Sequence, residues 1–173
     1  LKKLLKNSLK WILRCRLLLP AIVWYLRLRI YIDTPSELKV RDAKRSLLAL
    51  SPERFLGDLE ILAATGTFRI YRLEKSVVDV LISIFWDHSV PLASTLEPGI
   101  YKAPAQLQIN RIRLRSFYQL LLPKLYKSLG VDAVIGAAVH YRQDHDWGVV
   151  SKQIRVPYIV LFKECLITNK KHH

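Results

Sequence analysis

Residues 131–139 read Val-Asp-Ala-Val-Ile-Gly-Ala-Ala-Val, a run of small and apolar side chains broken only by Asp132. A strand with one wet face alternates polar and apolar residues, whereas a strand covered on both faces does not, so this run predicts a central strand of a parallel sheet. Outward from it, Tyr158–Phe162 (YIVLF) and Ser46–Leu50 (SLLAL) are further short apolar runs, read as buried strands. Phe68–Leu73 (FRIYRL) alternates Phe68, Ile70 and Leu73 with Arg69 and Arg72, and is read as a fourth strand. Helical spacing fills the intervals. Phe55, Leu56, Leu59, Leu62 and Ala63 share one helix that Gly66 stops. Val77, Val80, Leu81, Ile84 and Phe85 mark a second within Glu74–Trp86. Ile109–Leu129 forms a long third, with Arg111, Arg113, Arg115, Lys124 and Lys127 on its exposed side and Gly130 at its end, and Trp147–Ile154 forms a short fourth. Strands separated by helices are βαβ units, so the fold class is α/β, a parallel sheet with helices on both sides. Residues 87–108 carry Pro91, Pro98, Gly99 and Pro104 and read as a long surface connection.

The chain has 173 residues, 51% of them hydrophobic, with 6 glycines and 8 prolines, enough for a packed core and unlike a disordered or collagenous chain. Cys15 and Cys165 stand far apart with no C-x-x-C spacing, which excludes a zinc ribbon and gives no disulfide framework; a reduced, cytoplasmic setting is the simplest reading. The net charge of +14 is uneven, since residues 1–45 carry 12 Lys/Arg against 3 Asp/Glu and residues 46–173 carry 16 against 11. Residues 1–45 therefore read as a basic helical extension and 46–173 as the α/β domain. On a helical wheel Leu1, Leu4, Leu5, Trp11, Ile12 and Cys15 share one face, opposite Lys3, Lys6, Lys10 and Arg14. Such a helix either lies on an anionic membrane, at the inner face and through residues 1–31, or packs on the fold with its charges in water. Nucleic acid is a third partner class, with no zinc-finger or RNA-recognition signature behind it. The apolar run Leu17–Leu26 contains Pro20 and is flanked by Arg14, Arg16, Arg27 and Arg29. It is shorter than the about 20 residues that span a bilayer, and arginines follow it where a signal peptide would have a cleavage site.

Ligands of open parallel sheets bind beyond the carboxyl ends of the strands. Three loops there carry candidates. The first is Ser51-Pro52-Glu53-Arg54, read as an N-cap, first-turn proline and first-turn acid, where Ser51, Glu53 and Arg54 are placed to hold a phosphate at a helix start. Plain capping, with Arg54 paired to Asp58, explains the same residues. The second is His140-Tyr141-Arg142-Gln143-Asp144-His145-Asp146. Here His140 is a candidate base or hydroxyl contact, Arg142 an anion contact and Asp144 a substrate contact, while Asp144 or Asp146 also serves as an N-cap. No fixed metal-ligand spacing is present, so no metal is assigned. The third loop opens with Lys163 and Glu164, and Glu164 is a candidate for a sugar hydroxyl or proton transfer.

There is no G-x-G-x-x-G, no G-x-x-x-x-G-K-[ST] and no G-x-S-x-G, so dinucleotide, P-loop and serine-hydrolase chemistries lack their motifs. The runs RSLLALSPERFLGDLEILAATGTFRIYRL, VDAVIGAAVHYRQDHDWG and RVPYIVLFKE resemble the N-terminal, Rossmann-like half of GT-B glycosyltransferases and of the related UDP-N-acetylglucosamine 2-epimerases, over residues 46–168. The Ser51-Pro52-Glu53-Arg54 run corresponds to an Arg-Pro-Glu run of the epimerases, and Lys163-Glu164 to the glutamate after their last strand. His140-Tyr141-Arg142 departs from the Gly-Asp-Thr-like central loop of the epimerases. The resemblance implies glycosyl transfer in surface polysaccharide or glycolipid assembly. A nucleotide sugar would be the donor, with no further cofactor, and a glycan or lipid-linked molecule the acceptor. Arg54 and Arg142 would hold anionic groups, His140 would be a candidate base or hydroxyl contact and Glu164 a candidate sugar contact. It further implies that this chain is the acceptor-side half, lacking a C-terminal domain and inactive alone. The competing class is a non-catalytic basic α/β module that docks on membrane or nucleic acid through residues 1–45.

Overall fold

The computed structural model describes residues 18–33, 45–85, 105–136 and 142–161. Its elements are α1 (Leu19–Arg29), β1 (Ile30–Asp33), β2 (Arg45–Leu50), a 3-10 turn (Pro52–Arg54), α2 (Leu56–Ala64), β3 (Phe68–Leu73), α3 (Lys75–Phe85), α4 (Ala105–Leu129), β4 (Ala133–Gly136), α5 (Arg142–Gln153) and β5 (Tyr158–Val160). The sheet order is β1-β3-β2-β4-β5. Strands β3, β2, β4 and β5 are parallel, and β1 joins the edge antiparallel with Ile30 opposite Leu73. The fold is thus α/β and Rossmann-like, with a four-stranded parallel sheet flanked by helices.

Alternate residues of each central strand point to opposite faces, and both faces are covered. Leu47 and Ala49 of β2, Ile70 of β3, and Ala133 and Ile135 of β4 pack with Phe55 and with Leu59 and Ala63 of α2. Leu48, Leu50, Tyr71, Leu73 and Val134 face the other way, against α1, α3, α4 and α5. This double coverage is why 47–50 and 133–136 show no polar alternation. Gly66 (φ 69°) and Gly130 (φ 65°) end α2 and α4 in the left-handed conformation that glycine adopts at no steric cost. The two central strands are also tied at their entry, where Ser46 N–H donates to the Asp132 carboxylate at 2.6 Å and Asp132 N–H to the Ser46 carbonyl at 2.8 Å.

Several expectations are corrected. The boundary at 45/46 does not separate an extension from the domain, because Leu19, Ile22 and Leu26 of α1 enter the main core and β1 hydrogen-bonds to β3. Residues 1–17, which carry the amphipathic pattern of Lys3, Lys6, Lys10 and Arg14, lie outside the described residues. The fourth predicted helix starts at Arg142 rather than Trp147, and the long third one starts at Ala105 rather than Ile109. β5 is an edge strand with Ile159 exposed, not a buried one, since among the described residues only β4 pairs with it. Most of the connection at 87–108 lies outside the described residues; 105–108 belong to α4.

Candidate functional site

Adjacent strands β2 and β4 send the chain in opposite directions from their carboxyl ends. β2 leads to α2 on one face of the sheet, and β4 to α5 on the other. Such a reversal leaves a crevice between the two departing connections, the place where doubly wound sheets take ligands. Ser51 follows the last residue of β2 at this point. It is buried, has left-handed backbone at φ 49° and ψ 55°, and donates its N–H to the Leu73 carbonyl at 3.0 Å. Its hydroxyl has no hydrogen-bond partner among the described residues and caps nothing, which corrects the reading of Ser51 as an N-cap. Glu53 is also a structural group here, because its Oε1 accepts the N–H of Lys75 at 3.2 Å and so caps α3.

Arg54 lies on the 3-10 turn, and Arg142 and Asp144 lie in the first turn of α5, so the latter two are helical rather than loop residues. Asp144 and Asp146 therefore sit inside the helix, and neither is its N-cap. His140, Tyr141, Lys163 and Glu164 lie outside the described residues.

Where α4 passes α5, a polar cluster forms that the sequence reading missed. Asp146 is only 3% exposed; Arg115 Nε donates to its Oδ1 at 2.6 Å, and Arg111 Nε stands 4.0 Å from its Oδ2. Arg115 also reaches His145 Nε2 at 3.3 Å. A guanidinium can only donate, so Nε2 is the acceptor in this contact. One helical turn away Asn110 is fully buried, and its side-chain amide finds no partner among the described residues. The signal was available in the spacing: Arg111 and Arg115 precede Tyr118 and Leu122 at i, i+4, i+7 and i+11, on one stripe with two fully buried residues. They are therefore not on the solvent side of α4, as the pattern of charges alone suggested.

His145 also forms part of the wall of a cleft of about 500 Å³ between α5 and β5, together with Gly148, Val149, Tyr158 and Val160. Gly148 makes that wall, since a Cβ there would stand 3.2 Å from the Tyr158 ring. Lys152 and Arg155 line it as well, so this mostly apolar cleft suits a ligand with an apolar body and an anionic or hydrogen-bonding group. Further along the same helix pair, Trp147 Nε1 donates to Tyr126 Oη at 2.7 Å, and Tyr126 Oη and Ser151 Oγ share a bond at 2.6 Å. Burial raises the Tyr126 phenol above the ordinary tyrosine range, with the bonds from Ser151 and Trp147 offsetting part of the rise.

The fold defines a doubly wound α/β domain whose chain direction reverses between β2 and β4. No family model, characterised protein or solved structure matches the chain. Among the described residues no helix is long and apolar enough to cross a membrane.

Proposed function

We propose that this chain is the acceptor-side half of a nucleotide-sugar-dependent glycosyltransferase of surface polysaccharide or glycolipid assembly. The observation that carries the reading is the reversal of chain direction at the carboxyl ends of β2 and β4, with the hydroxyl of Ser51 buried beside it and without a partner among the described residues. A site built for a hydroxylated ligand needs such a group, because a buried hydroxyl without a partner costs about 1–3 kcal/mol until something bonds to it. The resemblance of the three strand-loop runs to GT-B proteins supplies the reaction class. In that reaction an acceptor hydroxyl loses its proton to a base, for which His140 is the candidate. The resulting oxygen then attacks the anomeric carbon, and the nucleoside phosphate departs with the electrons of the broken C–O bond. Arg54 and Arg142 are the candidates to hold the departing phosphates, and Glu164 to orient the sugar.

The test incubates the protein, as encoded by its complete reading frame, with labelled nucleotide sugars and an extract of membrane glycolipids. Label is expected in the lipid or glycan fraction with one donor. If every donor leaves the label where it began, and none raises the melting temperature, the reading fails.

A further inference from the structure

Helix α1 is apolar on two sides. Leu19, Ile22 and Leu26 form one stripe, buried in the main core. Ala21, Trp24, Tyr25 and Leu28 recur at i, i+3, i+4 and i+7 on a second stripe, and all four are exposed, with Trp24 at 64% and Leu28 at 62%. Arg27 is exposed along one edge of this second stripe, and Arg29 at the helix end pairs with Glu74 at 3.7 Å. Single exposed apolar residues are ordinary, but a tryptophan, a tyrosine and a leucine in one row on one helix are a surface that something covers.

The charge of the chain says what covers it. Residues 1–29 contain eight Lys or Arg and no Asp or Glu. A second copy of a chain with net charge +14 would bring two such basic segments together, which repulsion opposes. A bilayer with anionic headgroups instead meets both requirements: apolar depth for Leu28, an interfacial level suited to the amphipathic rings of Trp24 and Tyr25, and negative charge for the basic segment. We infer that the outer face of α1 docks the protein on an anionic membrane surface, with α1 lying parallel to it and the α/β domain held above. This goes beyond the glycosyltransferase reading and does not depend on it.

The test is co-sedimentation of the full chain with neutral phosphatidylcholine vesicles and with vesicles containing phosphatidylglycerol. Binding is expected to anionic vesicles only and to weaken as salt rises. The pair Trp24→Ser and Leu28→Ser is expected to weaken it about tenfold, or about 1.4 kcal/mol, with an unchanged melting curve because neither side chain packs in the core. Arg27→Glu, which leaves the apolar row intact, is expected to weaken anionic binding alone. Equal sedimentation of the double variant and the parent would overturn the inference, since the basic segment would then bind without the α1 face. Sedimentation with neutral vesicles, or loss of a dimer instead of vesicle binding in the double variant, would overturn it as well.

Discussion

At the scale of single residues, Ser51 joins backbone strain to an unmet hydrogen-bonding group. Left-handed backbone disfavours a serine by about 1–2 kcal/mol, and its hydroxyl lies buried without a partner among the described residues. Glycine relieves both. Ser51→Gly is therefore expected to raise stability by about 1 kcal/mol and the melting temperature by a few degrees, while weakening whatever binds beyond the carboxyl ends of β2 and β4. Thermal unfolding of the two proteins checks it, and an unchanged or lower midpoint would mean that the hydroxyl stabilises the turn after all. The sequence Ser-Pro-Glu has the composition of a helix start, which is why it resembles a cap. A cap needs extended backbone at the serine. The conformation actually taken is set by the bond from Ser51 N–H to Leu73, a partner 22 positions away that no local pattern reveals.

At the scale of elements, the strands were legible and the helix ends less so. SLLAL, FRIYRL and the start of VDAVIGAAV announce themselves because burial on one or both faces leaves a direct mark on side-chain chemistry. The first turn of α5 does not, because Gln143, Asp144 and His145 have the composition of a loop, and tertiary contact from Arg115 to Asp146 holds the helix there. The α4–α5 contact also carries a pH dependence. Burial raises the Tyr126 phenol, so the folded protein holds that proton more tightly than the unfolded chain, whose ordinary tyrosine value is 10.0. Below that value both states are protonated and the contribution is intact; above it only the unfolded chain releases the proton, and stability falls by up to about 1.4 kcal/mol per pH unit. Tyr126→Phe strands Trp147 Nε1 and the Ser151 hydroxyl, at a cost of about 2 kcal/mol near neutral pH. Urea unfolding from about pH 8 to about pH 11 should show the gap between parent and variant narrowing above the ordinary tyrosine value. A constant gap would mean that the phenol titrates alike in both states.

For the whole molecule, the decisive segment is the one that composition set apart. The excess of base in residues 1–45 made it resemble an appendage, yet charge reports which side chains face water and says nothing about the apolar ones between them. Leu19, Ile22 and Leu26 are each at most 7% exposed, and burial of such a side chain contributes about 1.5–3 kcal/mol. Together they contribute about 6 kcal/mol, comparable with the whole stability of a typical domain, about 5–15 kcal/mol. Loss of β1 would in addition open the edge of β3 along Ile70–Leu73. A chain beginning at Ser46 is therefore expected to lose cooperative unfolding and to bind a dye specific for exposed apolar surface, while the full chain melts in one transition. Near-UV circular dichroism and calorimetry of the two chains decide it. A shortened chain that melts as sharply and within a few degrees of the parent would show that α1 and β1 rest on a domain already complete without them, and would restore the boundary that charge suggested.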